Sequence, residues 1–346
     1  MDLNKIKRVI IIAEAGSNWK CGTFDEDLDQ GKKLIDVAVR AGADAIKFQT
    51  YKPETIYVQD AGRSEYLLKH GIEESINDIF EHLSMPYEMI PELEKYCKKK
   101  NIMFMSTPFS VQDAKAVDPF VKIHKVASFE INHVRLLEYL FDTGKPVLIS
   151  TGASTYDEID FAVKLARTKN APFGLLQCTS KYPCSIDALN LSVIPRFWER
   201  YKVPIGLSDH SIDPLTAPIV AVSLGAKIIE KHFTLDRKLP GPDHPFALEP
   251  DELRLMVEYV RKAEKSLGSG NKVILEEEEE LRRFAKRSIQ ATSDIKKGDV
   301  LQEGVNFEVL RPGNRMKGLD PRELESIKGK RAKSDIRVGD GITEYE

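Results

Sequence analysis

The segments Val203-Pro204-Ile205-Gly206-Leu207-Ser208-Asp209-His210 and Ala226-Lys227-Ile228-Ile229-Glu230-Lys231-His232 each run from an apolar strand into polar residues and end in histidine. A helix-length stretch, Ile212 to Leu224, separates them. Two strands joined by a helical crossover lie parallel, and in a β/α barrel consecutive parallel strands are neighbours. Both imidazoles then stand at the carboxyl ends of adjacent strands, where one metal ion can sit between them. A lone histidine at a strand end is more often a hydrogen-bonded structural residue. Here two occur, each with an acid one or two residues earlier (Asp209, Glu230), and the pair favours a metal site at the active end of a barrel.

Outward from these segments the same alternation of strand and helix occupies most of the chain. The near-continuous apolar runs Val9–Ala13, Ala45–Phe48, Ile102–Met105, Val121–Val126, Val147–Ile149, Gly174–Leu176, Ile205–Leu207 and Lys227–Ile229 read as parallel strands buried on both faces. The helices between them carry their own signals. Thr155-x-x-Glu158 is a capping box leading into Ile159, Ala162, Val163 and Ala166. Leu253, Met256, Val257, Val260, Ala263 and Leu267 form a one-faced stripe at helical period. Eight βα units in order predict an α/β fold, a (β/α)8 TIM barrel, with a doubly wound open sheet as the lesser alternative. Two long loops, Tyr51 to Tyr87 (with Pro53, Gly62, Gly71 and Pro86) and Thr234 to Pro250, fall at the carboxyl ends of strands, where barrels build lids and binding walls.

The barrel is expected over residues 1–268, followed by a charged helical linker over 269–283 and a small β-rich domain over 284–346. In that last part Ser293-Asp-Ile-Lys-Lys-Gly-Asp299 is echoed by Ser334-Asp-Ile-Arg-Val-Gly-Asp340, predicting two copies of one turn-strand unit.

At 346 residues the chain can bury a large core without disulfides, and its formal charge of −3 gives no electrostatic reason to bind nucleic acid or an anionic membrane. The run Glu276 to Glu280 reads as a solvated helix face. Cys21, Cys97, Cys178 and Cys184 are scattered without a Cys-x-x-Cys pair, as suits reduced thiols in a cytoplasmic protein. No signal-peptide core and no spanning apolar run is present, so a soluble, cytosolic protein is expected.

The carboxyl ends of the eight strands collect polar residues that a barrel would bring to one mouth. Glu14 ends the first, Lys47 and Gln49 the second, Thr107 the third, Lys125, Ser128 and Glu130 the fourth, and Ser150 the fifth. Ser180 and Tyr182 follow the sixth, Ser208 and His210 end the seventh, and His232 ends the eighth. Hydroxyls beside Lys47 and Lys125 suit an anion such as a phosphate, and Glu14 and Glu130 offer carboxylates for proton transfer or sugar hydroxyls. The absence of Gly-x-Gly-x-x-Gly, a Walker loop, His-Glu-x-x-His and Gly-x-Ser-x-Gly leaves nucleotide-dependent and serine-hydrolase chemistry without support.

Glu14-Ala-Gly-Ser-Asn, Lys47-Phe-Gln-Thr, Ser106-Thr-Pro-Phe-Ser, Lys125-Val-Ala-Ser-Phe-Glu, Ser150-Thr-Gly, Cys178-Thr-Ser-Lys-Tyr-Pro, Gly206-Leu-Ser-Asp-His, Glu230-Lys-His-Phe-Thr and Pro240-Gly-Pro-Asp resemble, in order and over nearly the whole chain, the sialic acid synthases. Leu310-Arg-Pro-Gly-Asn and the repeated turn units resemble their C-terminal antifreeze-like (β-clip) domain. The resemblance implies condensation of phosphoenolpyruvate with an N-acylated amino sugar of the N-acetylmannosamine type, giving a nine-carbon sialic acid such as N-acetylneuraminate and free phosphate. It implies that His210 and His232 hold a divalent ion, manganese before magnesium or cobalt. Lys125, Ser128, Thr107, Ser150, Ser180 and Ser208, with Lys47 nearby, are implied to contact phosphoenolpyruvate. Glu130, Gln49, Tyr182 and Asp243 are implied to hold or activate the sugar. Arg311 is implied to reach the partner subunit's active site in a domain-swapped homodimer. Ser128-Phe129-Glu130 and Ser180 are similar to the pseudaminic acid synthases, whereas Leu239-Pro-Gly-Pro-Asp-His is similar to the sialate and legionaminate group, so a dideoxy-diacetamido hexose is the alternative substrate. A Schiff-base aldolase using Lys125 or Lys47, and a non-catalytic carbohydrate- or ice-binding protein led by the C-terminal domain, are the rival readings.

Overall fold

Each apolar run forms a strand, and the computed structural model, which describes residues 2–63 and 74–346, joins them in one parallel sheet. The strands are β1 (Ile10–Gly16), β2 (Ala45–Thr50), β3 (Met103–Pro108), β4 (His124–Val126), β5 (Val147–Ser150), β6 (Phe173–Cys178), β7 (Ile205–Asp209) and β8 (Ile228–His232). Their order is β3-β2-β1-β8-β7-β6-β5-β4, and β3 meets β4 at the seam, closing a TIM-like barrel with helices outside. The middle of the Tyr51–Tyr87 loop, including Gly71, lies outside the described residues.

Most strands run further than their apolar stretches, because the ladder continues into the polar residues at the mouth. Lys47 pairs with Glu14 and Met105, and Glu230 pairs with Ile12 and Ser208. β4 is the exception. Its pairing begins at His124 rather than Val121, after a 3-10 turn over Asp118–Phe120 has set the chain's direction.

Strand alternation divides the core. Ile11, Ala13, Ile46, Phe48, Ile149, Leu207 and Ile229 face outward under the helices. Ile10, Ile12, Ala45, Met105, Leu148, Leu176 and Ile228 face inward and pack the barrel floor, which Leu3 plugs from below. The lower barrel is therefore solid, and among the described residues the ionisable groups of the barrel interior lie in the polar layer above it.

Helix ends follow the sequence signals. Thr155 accepts a hydrogen bond from Glu158 N while Glu158 Oε2 accepts one from Thr155 N at 2.7 Å, a cap that contributes about 1 kcal/mol. Helix Pro250–Leu267 buries Leu253, Met256, Val257 and Val260, but its stripe stops short of Leu267, which is half exposed. Among the described residues no helix is long and apolar enough to cross a membrane.

Two units make up the chain, Met1–Gly268 and Ser269–Glu346. The second contains an exposed helix, Glu276–Ala285, and the antiparallel pair β9 (Ser288–Ala291) and β10 (Phe307–Leu310). Its two echoed turns grip each other reciprocally. Ile295 and Ile336 exchange backbone hydrogen bonds of 2.9 and 2.8 Å. Asp294 accepts from Val338 N at 2.8 Å, and Asp335 accepts from Lys297 N at 2.9 Å. Gly298 and Gly339, with φ of 89° and 86°, occupy the left-handed position that a side chain would strain.

Candidate active site

Four charged side chains meet on the barrel axis. Lys47 Nζ lies 2.7 Å from Glu14 and 3.6 Å from Glu230, and Lys125 Nζ lies 3.8 Å from Glu230. All four are buried. The hydroxyls foreseen at the mouth are divided among them. Thr107 accepts from Lys47 at 2.9 Å, Ser150 accepts from Lys125 at 2.7 Å, and Ser208 donates to Glu230 at 3.2 Å. Gln49 donates to Glu14 at 3.1 Å.

Burial pushes Glu14 from 4.5 up to about 7 against the pull of Lys47. Burial acts upward on Glu230 as well, yet Lys125 and Lys47 together hold it below its ordinary range. The lysines diverge. Burial works to lower Lys47, but Glu14 and Glu230 keep it above the usual lysine value, whereas burial takes Lys125 below it.

Ser128 and Ser180 form a separate cradle at Gly152. Gly152 N donates to Ser128 Oγ at 3.0 Å. A Cβ at Gly152 would collide with Ser180 Oγ and lie 2.9 Å from Ser128 Oγ and 3.0 Å from Cys178 Sγ. The Ser180 hydroxyl is buried without a hydrogen-bond partner. Three small polar tips thus pack directly against Gly152, which leaves no room for a methyl, and the two hydroxyls stand a few residues along from Lys125 and Ser150, where they can donate to an anion's oxygens.

Next to this cradle, with Cys178 Sγ 3.8 Å from His210 Nδ1, His210 and His232 face each other with ring centroids 5.7 Å apart. His210 Nδ1 donates to Thr179 O at 2.9 Å, since a carbonyl can only accept, and in the neutral ring the lone pair then sits on Nε2, 3.9 Å from Cys178 Sγ. His232 Nδ1 is buried without a partner, and burial, with His210 adding to it, holds this imidazole well below the ordinary 6.5 and hence neutral. A buried neutral imidazole with an unused nitrogen beside a second oriented by a carbonyl fits a divalent ion. Among the described residues no three His, Cys, Asp or Glu side chains converge to hold a metal unaided, so water or substrate oxygens would complete the shell.

Asp243 reaches this side from the Thr234–Pro250 loop, its Oδ2 accepting from Ser17 N at 2.9 Å and Ser17 Oγ at 2.8 Å. Gly16, at φ +53°, permits the approach, since a Cβ there would strike Asp243 and lie 3.3 Å from His232 Nδ1. Tyr182 stacks on the His210 ring at 4.1 Å. Ser17, Gln49, Ser128, Tyr182, His232 and Asp243 edge a cavity of about 230 Å3 whose other wall is Tyr51, Phe80, Leu83, Phe109, Phe129 and Phe246.

Glu130 stands at the rim of the mouth with Oε2 buried and unpartnered, and burial lifts it from 4.5 to about 7 although Lys125 pulls downward. Its folded value lies above its unfolded one, so the carboxyl carries no penalty below about pH 4.5 and costs stability increasingly as pH rises through 7. Glu130→Gln, neutral throughout, should therefore melt progressively higher than the native chain as pH rises from 4.5 towards 7. Melting curves at a series of pH values check this, and a pH-independent difference would rule out the buried carboxyl.

Every barrel residue foreseen from the sequence thus stands at one mouth. Arg311 belongs to the second unit, exposed just after β10. Sequence reasoning did not assign Glu230 a place among the site residues, although its position two residues before His232 put it on the same strand face. Gly152 and Cys178 (3.8 Å from His210 Nδ1) stand within the motifs quoted above but received no role of their own, and the aromatic wall carries no local signal because distant segments create it.

Barrel and mouth together place the protein among the TIM-barrel enzymes, with ionisable groups gathered at the carboxyl ends of the strands. The NeuB family model matches residues 34–272 and the SAF domain model residues 286–344, and the chain belongs to the NeuB family. It is 41% identical to the spore coat polysaccharide biosynthesis protein SpsE of Bacillus subtilis, over 96% of this chain and 92% of that one. The crystal structure of SpsE superposes with a TM-score of 0.65, covering 97% of this chain and 94% of that one at 39% identity. A pseudaminic acid synthase of Campylobacter jejuni (strain 81-176) is 36% identical over 100% of this chain and 98% of its own. The N,N'-diacetyllegionaminic acid synthase of Campylobacter jejuni (strain NCTC 11168) is 34% identical over 98% of this chain and 100% of its own. The protein is accordingly a synthase of the sialic-acid type.

Proposed function

We propose that this synthase is a transferase that joins phosphoenolpyruvate to the open-chain aldehyde of an N-acylated amino sugar, releasing phosphate. The observation that carries the reading is the division of the mouth. A lysine-and-hydroxyl cradle at Lys125, Ser150 and Gly152 suits a phosphorylated acid, and a carboxylate-rimmed, aromatic-walled cavity beside two imidazoles suits a sugar.

Lys125, Ser128, Ser150 and Ser180 hold the phosphate and carboxylate of phosphoenolpyruvate, with Lys47 and Thr107 behind them. His210 and His232 would hold a divalent ion, manganese before magnesium or cobalt, which would supply Lewis acidity to the sugar's carbonyl. Gln49, Tyr182 and Asp243 orient the sugar. The C2–C3 π electrons of phosphoenolpyruvate form the new bond to the aldehyde carbon, and Glu130, titrating near 7, gives its proton to the carbonyl oxygen. Water adds at the cationic C2 and loses its proton to Glu14, whose carboxyl also sits near 7. The tetrahedral adduct expels phosphate with its bridging oxygen while the C2 hydroxyl passes its proton to the departing phosphate, leaving the 2-keto acid.

Between an N-acetylmannosamine-type sugar and a dideoxy-diacetamido hexose, the wall of Phe80, Leu83, Phe109, Phe129 and Phe246 favours the second. This wall accepts the terminal methyl of a deoxy sugar and an acetamido methyl, and offers the hydroxyl of a hydroxymethyl group no hydrogen-bond partner. The relatives that make pseudaminic and legionaminic acids support the same choice. The test is a panel of amino sugars incubated with phosphoenolpyruvate carrying labelled bridging oxygen, read by mass spectrometry. A nine-carbon acid with all label in phosphate is expected, and label kept in the acid would reject C–O cleavage. A strand-end lysine in a barrel, and in Lys125 a lowered one, is what a Schiff-base aldolase would also offer, and borohydride with pyruvate should trap no adduct on it.

Arg311 and the family resemblance support a domain-swapped homodimer in which this guanidinium completes the partner's site, with bidentate geometry that lysine does not reproduce. Mixing Arg311→Ala chains with His232→Ala chains should restore activity at one of two mouths. No recovery despite proven subunit exchange would confine Arg311 to its own barrel's site or to no site. The four cysteines are unpaired, in keeping with the cytoplasmic location proposed here.

A further inference from the structure

We propose that the buried Asp209–Lys231 ion pair is a clip that sets the separation of His210 and His232, making both charged groups positioning residues of the metal site. The inference rests on the metal-binding reading given above.

Asp209 and Lys231 are each 1% exposed and immediately precede the two histidines. Because strand side chains alternate, Ser208, His210, Glu230 and His232 face the barrel interior while Asp209 and Lys231 face away from it. The pair therefore stands behind the imidazoles and touches no substrate. Its hydrogen bonds are complete. Lys231 Nζ donates to Asp209 Oδ2, to Ser211 O at 2.6 Å and to Ser211 Oγ at 3.1 Å, and Asp209 Oδ1 accepts from Ser211 N at 2.8 Å.

The location is what gives the pair a function. The ladder between β7 and β8 stops at the rung Asp209–Lys231. One residue further on, the strands turn to different neighbours. His210 O accepts from Cys184 N at 2.9 Å, and His232 O accepts from Leu248 N at 2.9 Å. The ion pair is thus the final link between the two strands just before their imidazoles, and a shared ion tolerates little variation in their separation. A buried ion pair is a weak source of stability compared with an apolar pair of similar volume, so stability alone does not account for charges in this place.

The test uses the full-length chain, stripped of metal, and titrates it with Mn2+ by calorimetry and by electron paramagnetic resonance of the free ion. Two variants are compared, Asp209→Asn and the double apolar variant Asp209→Leu/Lys231→Met, with melting temperature recorded for each. The expected result is folded protein whose Mn2+ affinity falls about 10- to 100-fold, as for loss of an outer partner that orients metal ligands. Unchanged affinity in a folded variant overturns the clip, and so does failure of both variants to fold, which would assign the pair to stability. Native protein that binds no Mn2+, or His210→Ala that binds it equally well, would instead show that the metal reading itself has failed.

Discussion

Replacing His210 or His232 by alanine should lower turnover by about 10²-fold or more, the scale of losing a main electrostatic stabiliser of the reacting carbonyl. His210 and His232 come from adjacent strands, and their rings stand 5.7 Å apart with one nitrogen of each left for a ligand. The His232 nitrogen is buried without a partner, and burial keeps the ring neutral, the form that binds a cation. Neither loss should be repaired by adding more metal, because two imidazoles are already a sparse set and one alone leaves the ion to solvent. Turnover measured across a Mn2+ titration, with and without chelator, decides the matter. Full activity of both variants in excess chelator would remove the metal from the mechanism.

Lys125→Ala should cut turnover per phosphoenolpyruvate about 10²- to 10³-fold while barely moving the requirement for sugar, as expected when one donor to a developing anion is removed. Lys125 is buried, its ammonium held by Ser150 Oγ at 2.7 Å and Val126 O at 2.9 Å and set 3.8 Å from Glu230. Its loss leaves Glu230 with Lys47 as its only lysine partner and takes the positive charge from the end of the cradle. Gly152→Ala attacks the same cradle from the other side. The new methyl meets only side-chain tips, Ser180 Oγ, Ser128 Oγ and Cys178 Sγ, which can swing aside, so the chain should fold and the anion should lose its place. Steady-state kinetics with each substrate varied in turn separates the outcomes. An unchanged dependence on phosphoenolpyruvate in both variants would assign the cradle to another ligand.

Much of this was legible in the linear sequence because the signals are local. Apolar runs of strand length separated by helix-length stripes specify parallel strands and crossovers, and eight of them specify a barrel. Residues at the ends of those runs are then committed to one mouth, so Glu14, Lys47, Lys125, Glu130, His210 and His232 could be grouped without coordinates. The echoed Ser-Asp-Ile heptads likewise announced paired turns, which the reciprocal bonds of Asp294 and Asp335 display.

What tertiary structure alone decided is who touches whom within the mouth. The sequence read the hydroxyls as one anion cradle, whereas packing sends Ser208 to Glu230, Thr107 to Lys47, and only Ser128 and Ser180 to the space beside Gly152. Glu230 emerged as the carboxylate between two lysines, and Phe80, Phe109, Phe129 and Phe246 as one wall, only after strands and loops far apart in sequence had closed on each other. Strand and helix periodicity is a property of neighbouring residues and can be read along the chain. Hydrogen-bond partners, burial and the carboxyl shifts it causes depend on distances of a few ångströms between segments as far apart as Ser17 and Asp243, and those distances are set by the closed barrel.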